Sequence, residues 1–194
     1  MTYTFSKRII DAVFLGDPIR TEEQTTYKVF EGERQIGEYY YTAKECRFNI
    51  EERKFRLNIR KRFMQFPRVS IIDESSGEMI GKIRVPYTHN LLWASSPDEL
   101  KMGEVTYLFR ELKPDVKFSF FKKETHGYFK FSLAGNGEEI NYTLKIDYSS
   151  RTRLGGRTSK LSFEGSIDCR SKNLPAMFAA FYLIEIAFDR DENG

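Results

Sequence analysis

Residues 70–85 read SIIDESSGEMIGKIRV. An apolar run meets an acidic turn that ends at Gly77, and a second run starts with Ile80 and Gly81. Residues 27–41, YKVFEGERQIGEYYY, repeat the plan with Gly32 in the turn and Ile36–Gly37 after it. Apolar runs of period two, broken by Gly, Asp and Ser, are the signature of antiparallel hairpins. Gly32 and Gly77 are expected to supply positive φ in the turns. Gly37 and Gly81, each behind an isoleucine, are expected at bulges or tight bends.

The same pattern spreads outward. ECRFNI (45–50) and KFRLNIR (54–60) form another pair, joined by a charged turn around Glu51, Glu52 and Arg53. In the latter, Phe55, Leu57 and Ile59 alternate with Lys54, Arg56, Asn58 and Arg60, giving one buried and one wet face. EVTYLFREL (104–112), VKFSFF (116–121), GYFKFSL (127–133), INYTLKIDY (140–148) and LSFEGSID (161–168) read as further strands, with GNGEE (135–139) as an Asn-Gly hairpin turn. Residues 3–15 read as a strand followed by a helical turn, and 16–25 and 149–160 as loops. Residues 86–103 are irregular, with one helical turn expected near Pro97. Eleven or twelve strands result, at the spacing of a sandwich or barrel.

The last element differs. NLPAMFAAFYLIEIAF (173–188) is apolar nearly all the way round, interrupted by Glu185. Asn173 is placed to cap it, and Pro175 sits in its first turn. A helix apolar on every side must be enclosed. It is shorter than the about 20 apolar residues of a membrane span, so a helix inside a barrel is favoured over a tail anchor. Eleven or twelve strands also make a barrel too wide to fill with its own side chains.

Bulk composition agrees. The 194 residues are 40% apolar and 15% aromatic, enough for one sizeable core in a single domain, 1–194, of mainly β type. Net charge is +3 with 30% charged residues of mixed sign, which does not point to a dedicated nucleic-acid binder. MTYTFSKRII lacks the core of a secretory leader, and a cytoplasmic location, peripheral at a membrane, is expected. Cys46 and Cys169 are read as reduced, buried thiols rather than a disulfide. No metal site, cofactor motif or catalytic constellation is read. His89 and His126 fall in expected turns, LGGR lacks the phosphate-loop lysine, and DRDENG (189–194) matches only half of a calcium loop.

Two basic stretches remain. Residues 53–68 hold Arg53, Lys54, Arg56, Arg60, Lys61, Arg62 and Arg68, and residues 151–160 hold Arg151, Arg153, Arg157 and Lys160, with no acidic residue in either. Cations beside Phe63, Met64 and Phe66 suit an anionic membrane surface, at about 1 kcal/mol per cation. The glycines of 151–160 would let backbone N–H groups approach an anion. Arg60, Lys61, Arg62, Arg151, Arg153, Arg157 and Lys160 are the candidate binding residues.

The repeated hairpins, with the Asp73–Gly77–Ile80–Gly81 spacing, and the terminal apolar helix resemble the tubby C-terminal-like superfamily, which includes the tubby domain, LURP-one-related proteins and phospholipid scramblases. The resemblance spans residues 27–188. It implies a closed antiparallel barrel of about twelve strands around a C-terminal hydrophobic helix. It also implies a binding module for anionic phospholipid headgroups or another polyanion rather than an enzyme. No lipid-binding residue of the family maps onto this chain, and the scramblase cysteine-rich segment is absent. An intracellular structural or protein-interaction domain, and a carrier of a small apolar ligand in the barrel, are the alternative functions.

Overall fold

A computed structural model describes residues 2–14, 17–19, 25–42, 45–62, 65–85, 98–119, 124–153, 156–169 and 173–192. Within these, only the backbone is described for residues 7–14, 17–19, 25, 61–62, 65–67, 114–119, 124–126, 146–153, 156–163 and 188–192. In chain order the strands are β1 (Thr2–Phe14), β2 (Asp17–Ile19), β3 (Thr25–Glu31), β4 (Arg34–Tyr41), β5 (Cys46–Ile50), β6 (Arg53–Arg62) and β7 (Gln65–Asp73). They continue with β8 (Met79–Arg84), β9 (Asp98–Met102), β10 (Val105–Ser119), β11 (Glu124–Gly135), β12 (Glu138–Arg153) and β13 (Gly156–Cys169), and the helix α1 (Leu174–Glu192) closes the chain.

Each strand from β3 to β13 pairs antiparallel with the next. β1 pairs with β3 through residues 4–6 and with β13 along its whole length, so first and last strands close the ring. β2 only adds three residues to the edge of β1. The result is a closed antiparallel barrel of twelve strands with one C-terminal helix.

Neighbouring strands alternate in direction, so five tight connections fall at one end of the barrel. These are the turns at Gly32, Glu51, Gly77, Gly103 and Asn136–Gly137, where every named residue has positive φ. Two consecutive positive φ values at Asn136 and Gly137 are what a two-residue hairpin with strand-matched twist requires.

Both Ile-Gly pairs mark bulges, as expected. Val29 faces Gly37 while Phe30 faces Gln35, leaving Ile36 extra. Ile71 faces Gly81 while Ile72 faces Met79, leaving Ile80 extra. A Cβ on Gly37 would lie 2.3 Å from the Asn49 carbonyl oxygen and 2.7 Å from the Phe178 ring. Only glycine lets the wall and the helix come that close.

The helix enters from the turn end, where Cys169 at the close of β13 faces Ile140 near the start of β12. The Ala176 N–H donates to Asn173 Oδ1 at 3.1 Å, the predicted cap. Asn173 Nδ2 donates to the Tyr107 hydroxyl at 3.2 Å, which itself donates to Glu138 at 2.6 Å. Residues 176–184 are all buried. Phe181 is the hub: its ring stacks on Tyr27 at 4.5 Å and meets Phe5 edge-on at 5.2 Å and Tyr142 at 6.0 Å. The Tyr142 hydroxyl donates to the Met177 carbonyl at 2.9 Å. The one charged side chain of this buried face, Glu185, accepts from the Tyr27 hydroxyl at 2.5 Å.

Several local expectations are corrected. Residues 3–14 are strand throughout, with no helical turn. Residues 17–19, expected in a loop, pair as β2. Asp98–Met102, just after the helical turn expected near Pro97, is instead β9, held by β8 and β10, and Pro97 itself lies outside the described residues. Residues 104–112 and 116–119 are one strand, bent by a register shift between Leu112 and Asp115. The loop expected at 149–160 is strand up to Arg153 and again from Gly156, because β12 and β13 stay paired. His126 lies in β11 opposite Lys117 rather than in a turn, and His89 is outside the described residues. The helix continues through Asp189–Glu192, so no calcium-loop conformation exists there.

Candidate anion-binding surface

The two predicted basic stretches lie on opposite sides of the ring. Arg60, Lys61 and Arg62 end β6, whereas Arg151 and Arg153 end β12 and Arg157 and Lys160 lie in β13. Four strands separate β7 from β12 in one direction, and β5, β4, β3 and β1 separate β6 from β13 in the other. They form no continuous wall. Arg153 faces Gly156 and Arg151 faces Thr158 in the ladder, so these residues are strand rather than loop, and Leu154 and Gly155 lie outside the described residues.

Arg60 belongs instead to a row that the sequence alone did not disclose. It faces Arg68 on β7, and Arg68 faces Arg84 on β8. All three are exposed. One step along the strands, Lys82 faces Lys101 on β9, and on the far side of β6 Arg56 faces Arg47. Directly opposed residues have Cβ atoms about 4.5–5.5 Å apart, and like charges so placed are destabilising. Within this row only Arg84 has an ion pair among the described residues, with Glu99 at 3.8 Å. At its flank Arg47 reaches Glu45 at 3.5 Å and covers the Tyr40 ring at 4.8 Å. Three guanidinium groups across about 10 Å of sheet can each give paired N–H bonds to phosphate or carboxylate oxygens.

The register behind this row comes from the Ile80 bulge. Were the turn-side register of Ile72 and Met79 continued without a bulge, Arg68 would face Ile83, and Arg84 would face Pro67. Single-residue slips exchange the partner and the face of every side chain beyond them. Arg68 was visible in its stretch as one cation among seven; Arg84 and Lys82, beyond the hairpin, carried no signal of proximity.

Other polar groups serve the fold. Asp73, almost wholly buried, accepts from Arg53 at 2.7 Å and from the Ser75 backbone N–H at 3.0 Å. These bonds, Arg53 first, hold its carboxyl down to about 2. Cys46 and Cys169 are buried and not joined in a disulfide, and they stand at opposite ends of the barrel wall. Burial pushes the Cys46 thiol up to about 12, against a lowering contact with the Tyr39 hydroxyl, so it is a poor nucleophile. Among the described residues no group of His, Cys, Asp and Glu has metal-site geometry, and no helix is long and apolar enough to cross a membrane. Described outward positions from β5 to β9 are rich in cations and the interior is apolar, the reverse of a membrane-spanning barrel.

No family model matches the chain, and no curated protein matches it. A solved structure, the crystal structure of MucB in complex with MucA(peri), aligns with 84% of this chain and 88% of its own at 7% identity, with a TM-score of 0.14. A likeness that weak carries no argument about fold or function.

Proposed function

We propose that the protein is a non-enzymatic binding module whose β5–β9 wall meets anionic phospholipid headgroups at a membrane surface. The observation that carries the reading is the row Arg60–Arg68–Arg84. Opposed like charges cost stability, and a polyanion is the ligand that would relieve them. The tight turns at the other end hold Glu31, Glu33, Glu51, Glu52, Glu74, Glu78 and Glu104 against Arg34, Arg53 and Lys54, an acidic excess that would turn that end away from an anionic surface. A barrel around its C-terminal helix is also what the tubby-like resemblance implies, and membership of that superfamily is part of this proposal. So is a cytoplasmic, membrane-peripheral location.

The test is co-sedimentation with vesicles of neutral lipid, with and without acidic lipid, at two salt concentrations. Binding is expected only to acidic vesicles and should weaken as salt rises. Reversing Arg60, Arg68 and Arg84 to Glu removes about 1 kcal/mol per cation, so the triple variant should bind at least about a hundredfold more weakly. Arg151, Arg153 and Arg157 are reversed in a separate variant, which should retain most binding. Absence of binding by the unaltered protein at low salt would reject the reading and turn the search to a protein partner.

A further inference from the structure

A recess lies on the other side of the barrel from the arginine row, across the seam where β1 and β13 close the ring. It is a concave surface of about 510 Å³, within the about 300–1,000 Å³ range of ligand sites. Two cross-strand rows build it. One runs Ser6–Glu164–Lys145–Tyr128, and the next runs Phe30–Thr4–Ser166–Thr143. Small hydroxyl side chains make the floor, and Phe30 and Tyr128 stand at its two edges. Tyr128 is 44% exposed, one of few large apolar side chains so placed among the described residues. Beneath the floor, Gly165 has no side chain, and the Phe5 ring fills that place; a Cβ there would come within 2.2 Å of it.

We propose that this recess binds a short neutral oligosaccharide lying across the strands. Four strand spacings of about 4.8 Å separate Phe30 on β3 from Tyr128 on β11, about 19 Å in all. The lining includes one cation and one anion, Lys145 and Glu164, directly opposed. It has no net charge to select a phosphate or sulfate. Serine and threonine hydroxyls both donate and accept, which matches a ligand made of hydroxyl groups. The exposed Tyr128 ring and the half-buried Phe30 ring match the apolar face of a pyranose ring. A lipid chain would need an enclosed apolar slot, and this recess is open to solvent along its length.

Saturation-transfer NMR with cellotetraose, maltotetraose and a tetramer of N-acetylglucosamine tests the proposal, with a heparin-derived tetrasaccharide as the charged comparison. Transfer to at least one neutral probe is expected. Tyr128→Ala should weaken it by about tenfold or more, and Thr143→Val should weaken it less. The Arg60, Arg68 and Arg84 triple reversal should leave it unchanged, which separates this site from the basic wall. No transfer to any neutral probe, binding of the sulfated probe alone, or binding indifferent to Tyr128→Ala would each overturn it.

Discussion

Asp73 shows how one side chain can organise a turn. Its carboxylate ties Arg53 on the neighbouring hairpin to Ser75, while its backbone carbonyl accepts from Gly77 N–H at 2.8 Å. A carboxyl held below its ordinary value stabilises the fold while ionised, so the contribution is present above about pH 4 and is lost as pH falls through about 2. Asp73→Asn is therefore expected to unfold at lower denaturant than the unaltered protein at pH 7, with the gap closing between pH 4 and pH 2. Urea titrations across that range check it, and a gap independent of pH would assign the loss to geometry instead of charge. Inside the barrel, the Tyr27 hydroxyl donates to the buried Glu185 side chain, tying the β3 wall to the helix.

At the scale of elements, the bulges at Ile36 and Ile80 do two jobs. The first lets Gly37 lie against Phe178 of the helix and the second lets Gly81 lie against Met102, and both set the register of everything beyond them. A Cβ on Gly81 would lie 2.4 Å from Met102 Sδ and 2.7 Å from the Lys101 carbonyl oxygen. Gly81→Ala is expected to lower stability by about 1–3 kcal/mol, the usual cost of overpacking. Because the same bulge aligns Arg68 with Arg84, the variant should also bind acidic vesicles more weakly at temperatures where it is fully folded. Thermal melts paired with co-sedimentation separate the two effects.

At the scale of the molecule, the helix is the core. Phe5, Tyr27, Tyr39, Phe48 and Tyr142 point inward and are buried together with it. A chain ending at residue 172 would leave that lumen empty, and each lost large side chain costs about 3–5 kcal/mol. Such a chain should lack a cooperative melt and bind a hydrophobic dye, and a peptide of residues 173–192 added in trans should restore near-ultraviolet circular dichroism. A cooperative melt in the truncated chain would show that the barrel fills itself another way.

The sequence by itself determined the hairpins, the Ile-Gly bulges, the capped terminal helix and the all-β class. These follow from local periodicity, from glycine's freedom at positive φ, and from a helix too apolar to face water on any side. The strand total also came out near twelve, though partly because β9 was missed while β10 was divided. Tertiary structure alone decided the β1–β13 closure, the continuation of β12 and β13 through an apparent loop, and the distance between the two basic stretches. It also decided the row Arg60–Arg68–Arg84, whose members stand up to 24 positions apart in the chain. Cross-strand neighbours depend on register and ring order, and a single bulged residue changes both partner and face for a whole strand. No local pattern of charge carries that information.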